Sequence, residues 1–331
     1  MADTFRAWVI DRGDRGQSCT LRTDLTNDDL PEGDVLVDVQ ASTVNYKDGL
    51  AVTGKGKIIR NFPGVPGIDF AGTVLESTSE RFEPGDQVVL NGFGVGESHW
   101  GGLAERARVK ADWLIMLPEA FTPVEAMAIG TAGYTAMLAV DELERAGVAP
   151  GAEVVVTGAG GGVGSVAITL LAAAGFRPVA VTGRASLADY LRALGAVEVL
   201  PRATFSEPTK GPLASARWPA AIDTVGGEVL ANLLKAMAYE GTVAACGLAG
   251  GVELATTVMP FILRGVRLIG VESVYQPLAR REAVWQRLAQ LVASERLAEM
   301  SRIVPMDQVP AVAEEILQGQ VQGRTVVDVK G

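Results

Sequence analysis

The sequence predicts an α/β fold in two parts, a β-rich segment and a doubly wound parallel sheet, and three observations carry that reading. From Thr4 to about Val124, short apolar or alternating runs ("RAWVI", "DVLVDVQAS", "FAGTVLES", "DQVVL", "ERARVKADWLIMLP") are separated by the turn-forming "LPEGD", "FEPGDQ" and "GFGVGE". At "TPVEAMAIGTAGYTAMLAVDELERAG" the texture changes: Thr122 can cap, Pro123 suits a first helical turn, and apolar residues recur at helical spacing. Thereafter continuous apolar strands alternate with helices. Strand "EVVVTG", helix "SVAITLLAAAG", strand "RPVAVTG" and helix "SLADYLRALGA" lead to the strands "EVL", "AAIDTVG", "GTVAACG" and "VRLIGVES", and such strands belong to a sheet covered on both faces. "REAVWQRLAQLVASERL" reads as one amphipathic helix, and the tail from Ile303 ends in the strand "TVVDVK".

Composition narrows the function classes. At 331 residues the chain can bury ample core. Its two cysteines, Cys19 and Cys246, lie far apart without CxxC spacing, which suggests neither a disulfide framework nor a cysteine zinc site. The start has no basic n-region followed by an apolar h-region, and no run of about 18 apolar residues follows, so a cytoplasmic protein with no membrane partner is expected. A formal charge of -10 opposes binding to a phosphate backbone, so no nucleic-acid partner is expected and anionic ligands must meet local basic groups.

Such groups flank a glycine loop. "VTGAGGGVGS" places Gly158, Gly161 and Gly164 between a strand and a helix. The spacing is GxxGxxG rather than GxGxxG, but the physics is shared: a tight turn, close backbone approach to a pyrophosphate, and a helix N-terminus that attracts negative charge. A nucleotide-binding loop is expected, a plain tight turn being the alternative. The second strand ends Thr182-Gly183-Arg184, where an NAD site ordinarily has a carboxylate for the ribose hydroxyl. A guanidinium there can grip a 2′-phosphate, which implies NADPH/NADP+, unless Arg184 merely solvates its loop. Arg202, in "EVLPRAT", offers either a second charge or another exposed loop arginine.

Zinc dehydrogenase chemistry needs a Cys, His and carboxylate set, whereas the one histidine here is His99, and no G-x-S-x-G motif accompanies it. No metal is expected, and His99 reads as structural. What remains is metal-free hydride transfer from NADPH to an activated acceptor, and an activated carbon–carbon double bond suits such a site. That reaction needs positioned partners, donors for an enolate oxygen and a proton source.

The two-part order, the loop "GAGGGVGS" and the missing metal ligands resemble the zinc-independent, quinone-oxidoreductase-like branch of the medium-chain dehydrogenase/reductase superfamily. Over nearly the whole chain, "STVNYKDGLAVTGKGKIIRNFP", "VPGIDFAGTV", "GFGVGESHWGGLAERARVKADWL", "IGTAGYTAML", "GLAGGVELATTVMPFILRGVRLIGVES" and "QGRTVV" are similar to bacterial NADPH-dependent acryloyl-CoA reductases. Where zinc-containing relatives carry a metal-ligating "GHE", this chain reads Gly67-Ile68-Asp69. The resemblance implies a GroES-like catalytic domain (1–124 and 297–331) enclosing a Rossmann NADP-binding domain (125–296), with the acyl thioester and nicotinamide between them. It implies reduction of acryloyl-CoA, or a similar short enoyl-CoA, and a homodimer paired through the strand "VRLIGVES". A quinone or enone reductase and a non-catalytic NADPH sensor are the other readings of the same residues.

The resemblance also assigns site residues. Tyr46 would meet the nicotinamide end of the cofactor and orient it or relay a proton; a phenol, which titrates at about pH 10 in water, suits a donor rather than a base. Asn45 would offer an amide to a carbonyl or ribose, an Asx turn being its alternative. The cofactor would rest on Gly158, Gly161, Gly162, Val163, Gly164 and Ser165, then on Thr182, Gly183, Arg184 and Arg202. Leu248, Ile262, Ser273 and Arg324 would complete its site, although Leu248 and Ile262 by residue type alone read as core. Lys55, Lys57 and Arg60 either attract coenzyme A phosphates or form a solvated basic loop. Lys47 and Asp48 are expected to pair with each other or with neighbours, Asp223 to cap a turn, and Tyr134 to pack in the core.

Overall fold

The computed structural model describes residues 3–14, 16–207 and 211–331. It divides into two compact units: Met1–Thr131, Ser273–Ala289 and Ala293–Gly331 form one, and Ala132–Glu272 with Gln290–Val292 the other.

The first unit opens with the antiparallel pair β1 (Phe5–Gly13) and β2 (Gly16–Leu25). β3 (Val35–Thr43) leads through Asn45 into the short helix α1 (Tyr46–Thr53), and β4 (Asp69–Ser77), β5 (Gln87–Asn91), β6 (Arg106–Val109) and β7 (Ile115–Met116) follow. Helix α2 (Pro123–Arg145) starts where Thr122 and Glu125 make reciprocal capping bonds. It is interrupted at Gly130, whose φ of 51° and ψ of -158° are non-helical.

The second unit runs β8 (Glu153–Thr157), α3 (Gly162–Ala173), β9 (Arg177–Thr182), α4 (Ala188–Ala193), β10 (Glu198–Pro201), α5 (Ala203–Ser206) and β11 (Trp218–Asp223). It continues with α6 (Gly227–Lys235), β12 (Met237–Ala245), α7 (Met259–Arg264) and β13 (Arg267–Gly270). Among the described residues these strands make a parallel sheet in the order β10-β9-β8-β11-β12-β13, in which the chain starts at the centre, winds to one edge, then returns and winds to the other. Nucleotides bind such sheets at the carboxyl ends of strands where that reversal occurs, here between β8 and β11. Val155, Val179, Ala221 and Val243 are fully buried, which explains the continuous apolar runs; each valine withdrawn from water contributes about 1.5–3 kcal/mol.

The chain then returns to the first unit as α8 (Leu278–Leu291), α9 (Ser294–Met300), β14 (Ser301–Pro305), α10 (Val309–Leu317) and β15 (Arg324–Asp328). β15 pairs antiparallel with β3, so the sheet reads β14-β15-β3-β4-β5-β7, with β6 also on β3. One expectation needs correction, and one strand was not anticipated. The run expected to form one helix from Arg281 to Leu297 is two, because extended Ala293 interrupts it while Val292 buries and Ser294 reaches Glu125. β2 carried no sequence signal because nearly all of it is exposed. Among the described residues no helix is long and apolar enough to cross a membrane.

Candidate active site

In the second unit the glycine loop joins β8 to α3, and Gly158 turns it with φ 60°. A Cβ on Gly158 would collide with Thr224 Oγ1, and one on Gly164 would come within 2.5 Å of the Gly158 carbonyl. The loop therefore packs against β11's exit on one side and leaves the α3 N-terminus, entered through Gly161, Gly162 and Val163, as a cradle for a pyrophosphate. Ser165 is buried instead, its hydroxyl donating to the Ala159 carbonyl at 3.2 Å. Asp223, at the end of β11, accepts from Thr157 Oγ1 at 2.6 Å and from Gly226 N at 2.8 Å, so it caps the turn, while burial pushes its carboxyl above the usual range.

At the ends of β9 and β10 a cavity of about 430 Å³ is lined by Thr182, Gly183, Arg192, Leu200, Arg202 and Ser206, among others. A Cβ on Gly183 would strike the Arg202 guanidinium, so this glycine is what lets that arginine lie across the strand end. Arg184 extends toward the glycine loop and donates to the Gly160 carbonyl at 3.3 Å. Three arginines thus stand around one strand end with a cavity and a glycine cradle beside them. Those features fit a phosphorylated dinucleotide, and Arg192 is the member the sequence did not single out, because on a short helix it reads as surface charge. It pairs with exposed Asp189 at 3.1 Å.

In the first unit the N-terminus of α1 carries Asn45 and Tyr46. Asn45 caps the helix with Asp48, whose Oδ2 accepts the Asn45 backbone N–H at 2.8 Å. The Asn45 carboxamide is also spent on a buried polar cluster. Its Nδ2 lies 2.8 Å from Thr43 Oγ1, 3.1 Å from Asp69 Oδ2 and 3.2 Å from Asp48 Oδ2, and its Oδ1 accepts from Arg324 at 3.1 Å. Asp69 further accepts the Thr43 hydroxyl and the Thr131 backbone N–H, each at 2.6 Å. Asp48, Asp69, Thr43 and Arg324 are all buried, whereas Tyr46 at the head of the helix is 41% exposed. Burial, then the charge of Asp69, pushes the Asp48 carboxyl up to about 7. Asp69 escaped the sequence reading as a site residue; an acid opening the otherwise apolar "FAGTV" strand was the available signal.

Other expected site residues are dispersed. Arg324 is brought to Asn45, and it also donates to the Ala128 carbonyl at 3.1 Å. Ser273 is half-buried, and its carbonyl accepts from Arg281 at 3.4 Å. Leu248 is 56% and Ile262, within α7, 71% exposed, so neither is the core residue that its type alone suggests. Lys47 pairs with Glu97 at 2.8 Å, and Arg60 approaches the same carboxylate at 3.6 Å. Lys55 reaches Glu314 at 2.6 Å, while Lys57 is exposed. Tyr134 is fully buried, and His99 Nε2 sits 2.8 Å from the Arg108 carbonyl with its ring edge-on to Trp113.

Comparison with known proteins adds an independent line. Residues 31–119 match the alcohol dehydrogenase GroES-like domain family, and residues 162–294 match the zinc-binding dehydrogenase family. The chain is 54% identical to the probable acrylyl-CoA reductase AcuI of Escherichia coli K12, over 98% of this chain and 100% of that protein. It is 51% identical to the acrylyl-CoA reductase AcuI of Ruegeria pomeroyi, over 98% and 99% respectively. The crystal structure of E. coli K-12 YhdH with bound NADPH superimposes with a TM-score of 0.94 at 54% identity, covering 98% of this chain and 99% of that one.

The second family's zinc does not fit the donors present. Among the described residues no group of three or more His, Cys, Asp or Glu is disposed to hold a metal. Burial pushes both thiols, Cys19 and Cys246, up to about 12, with Asp223 adding to the latter, which disfavours the thiolates zinc requires. The histidine is committed to Arg108 and Trp113.

Proposed function

Because the chain belongs to the zinc-independent, quinone-oxidoreductase-like branch of the medium-chain dehydrogenase/reductase superfamily, among its acrylyl-CoA reductases, we propose that it reduces acryloyl-CoA to propanoyl-CoA with NADPH. The observation that carries this reading is the likeness to two acrylyl-CoA reductases along essentially the whole chain. NADPH, when bound, supplies a hydride for the β-carbon of the thioester. The chain's part is to bind and orient both partners, to stabilise charge that develops on the carbonyl oxygen, and to deliver a proton to the α-carbon.

We assign the pyrophosphate to the loop from Gly158 to Gly164 and the 2′-phosphate to Arg184 with Arg202. The nicotinamide end falls to Tyr46, with Leu248, Ile262, Ser273 and Arg324 as further contacts. Tyr46 orients the ring or relays the proton, and Asn45 supports it. Lys55, Lys57 and Arg60 are the cations assigned to coenzyme A. We further assign the enzyme to the cytoplasm as a homodimer joined through β13, the edge of the parallel sheet.

Deuterium tracing tests the chemistry. Deuteride carried on NADPH should appear at the β-carbon of propanoyl-CoA, and deuterium from heavy water at the α-carbon. Label from NADPH at the α-carbon, or none in the product, would overturn the mechanism.

A further inference from the structure

Asp48 and Asp69 carry chemistry that the proposed reaction does not use. Both are fully buried, and the Asn45 carboxamide stands between them. Arg324 donates into Asn45 Oδ1, so the Nδ2 end is the one that faces the acids. That nitrogen carries two hydrogens. One suits Thr43 Oγ1, at 2.8 Å, because the Thr43 hydroxyl is itself donated to Asp69 Oδ1 at 2.6 Å. The other is contested by Asp69 Oδ2 at 3.1 Å and Asp48 Oδ2 at 3.2 Å. Asp48 Oδ1 already accepts from Gly67 N at 3.0 Å and Ile68 N at 3.1 Å, and Oδ2 accepts Asn45 N at 2.8 Å. Once the contested hydrogen turns to Asp69, Asp48 Oδ2 keeps a lone pair for a proton of its own.

Charge points the same way. One buried guanidinium, Arg324, faces two buried carboxyls, and an unbalanced buried charge is costly. We propose that Asp48 and Asp69 form a pair holding one proton and that both are positioning residues, setting through Asn45 the start of α1 and thereby Tyr46; this rests on the role assigned to Tyr46 above. With the proton on Asp48, the contested Asn45 hydrogen goes to Asp69 without competition from a second anion. When the proton leaves to solvent, two anions compete for one N–H and the helix start loosens. The Asp48 carboxyl, raised to about 7 by burial and by Asp69, makes this change at neutral pH.

Around the pair, which α1 and β4 contribute, Arg324 is the charged group from β15, while Lys47 on α1 is tied to Glu97. On α10, Glu314 is tied to Lys55 and Glu315 to Arg302.

Infrared difference titration of the full chain, run beside the pH profile of kcat/KM for NADPH, tests the proposal. The wild type should show a protonated-carboxyl stretching band that is lost as pH rises through about 7, with kcat/KM falling across the same interval. Asp48→Asn should lack both changes. Because that variant also disturbs the cap on Asn45, Asp69→Asn is the second arm: removing the like charge should move band and inflection down by about 1 pH unit or more. No protonated-carboxyl band in the wild type, or an unmoved inflection in both variants, overturns the pair. A fully active Tyr46→Phe whose infrared titration is unchanged would instead overturn the role of Tyr46 and leave the proton pair standing.

Discussion

The Arg324 guanidinium and the Asn45 carboxamide, 279 residues apart in sequence, meet at 3.1 Å and close a buried polar cluster at the start of α1. Asn45 is the shared member, bonded to Thr43, Asp48, Asp69 and Arg324. Its loss removes hydrogen bonds from a set of buried polar groups that cannot turn to water for replacement. Asn45→Ala should therefore cost about 1–3 kcal/mol of stability and lower kcat/KM. Urea unfolding with parallel steady-state kinetics checks this; wild-type values in both would show that the cluster does not depend on Asn45.

Gly130 tests how tightly the same cluster is built. Its φ is positive, and a Cβ there would come within 2.5 Å of Arg324 Nη2 and 2.8 Å of Asp69 Oδ2. Gly130→Ala should cost at least about 1–3 kcal/mol from backbone strain alone, with the displaced guanidinium adding to that. A thermal unfolding midpoint equal to that of the wild type would contradict the packing.

Arg184 is assigned to the 2′-phosphate, a group NADH lacks. A charged hydrogen bond of roughly 1.5–3 kcal/mol corresponds to a rise of about ten- to a hundredfold in KM for NADPH in Arg184→Ala, with KM for NADH nearly unchanged. Equal weakening of both cofactors would place the arginine elsewhere.

Asp48 predicts a pH dependence of stability. Its carboxyl titrates at about 7 in the folded chain, against about 3.9 unfolded, so the folded state binds the proton more tightly. The stability this provides is complete below about pH 4 and is lost as pH rises through about 7. The urea midpoint should fall between about pH 4 and pH 7 and level off above that in the wild type, and fall less in Asp48→Asn. Parallel declines would remove Asp48 from the account.

Much of this was legible in the sequence, for reasons particular residues show. The strands through Val155, Val179 and Val243 are buried on both faces, so they read as unbroken apolar runs. The glycines of 158–164 and the absence of a carboxylate after Thr182 are local features and needed no tertiary information. Signals carried by distant contacts were not legible: Lys47 meets Glu97, and Arg324 meets Asn45, only once the sheet has formed. Residue type alone would place Leu248 and Ile262 in the core, yet both are exposed, since hydropathy cannot tell a core leucine from an exposed one.

The most direct measurement follows NADPH absorbance with chelator-treated protein and four acceptors: acryloyl-CoA, crotonyl-CoA, free acrylate and a benzoquinone. The account predicts rapid, metal-independent oxidation of NADPH with acryloyl-CoA and little with free acrylate or the quinone. Turnover confined to the quinone, or activity that disappears with the chelator and returns with zinc, would contradict it.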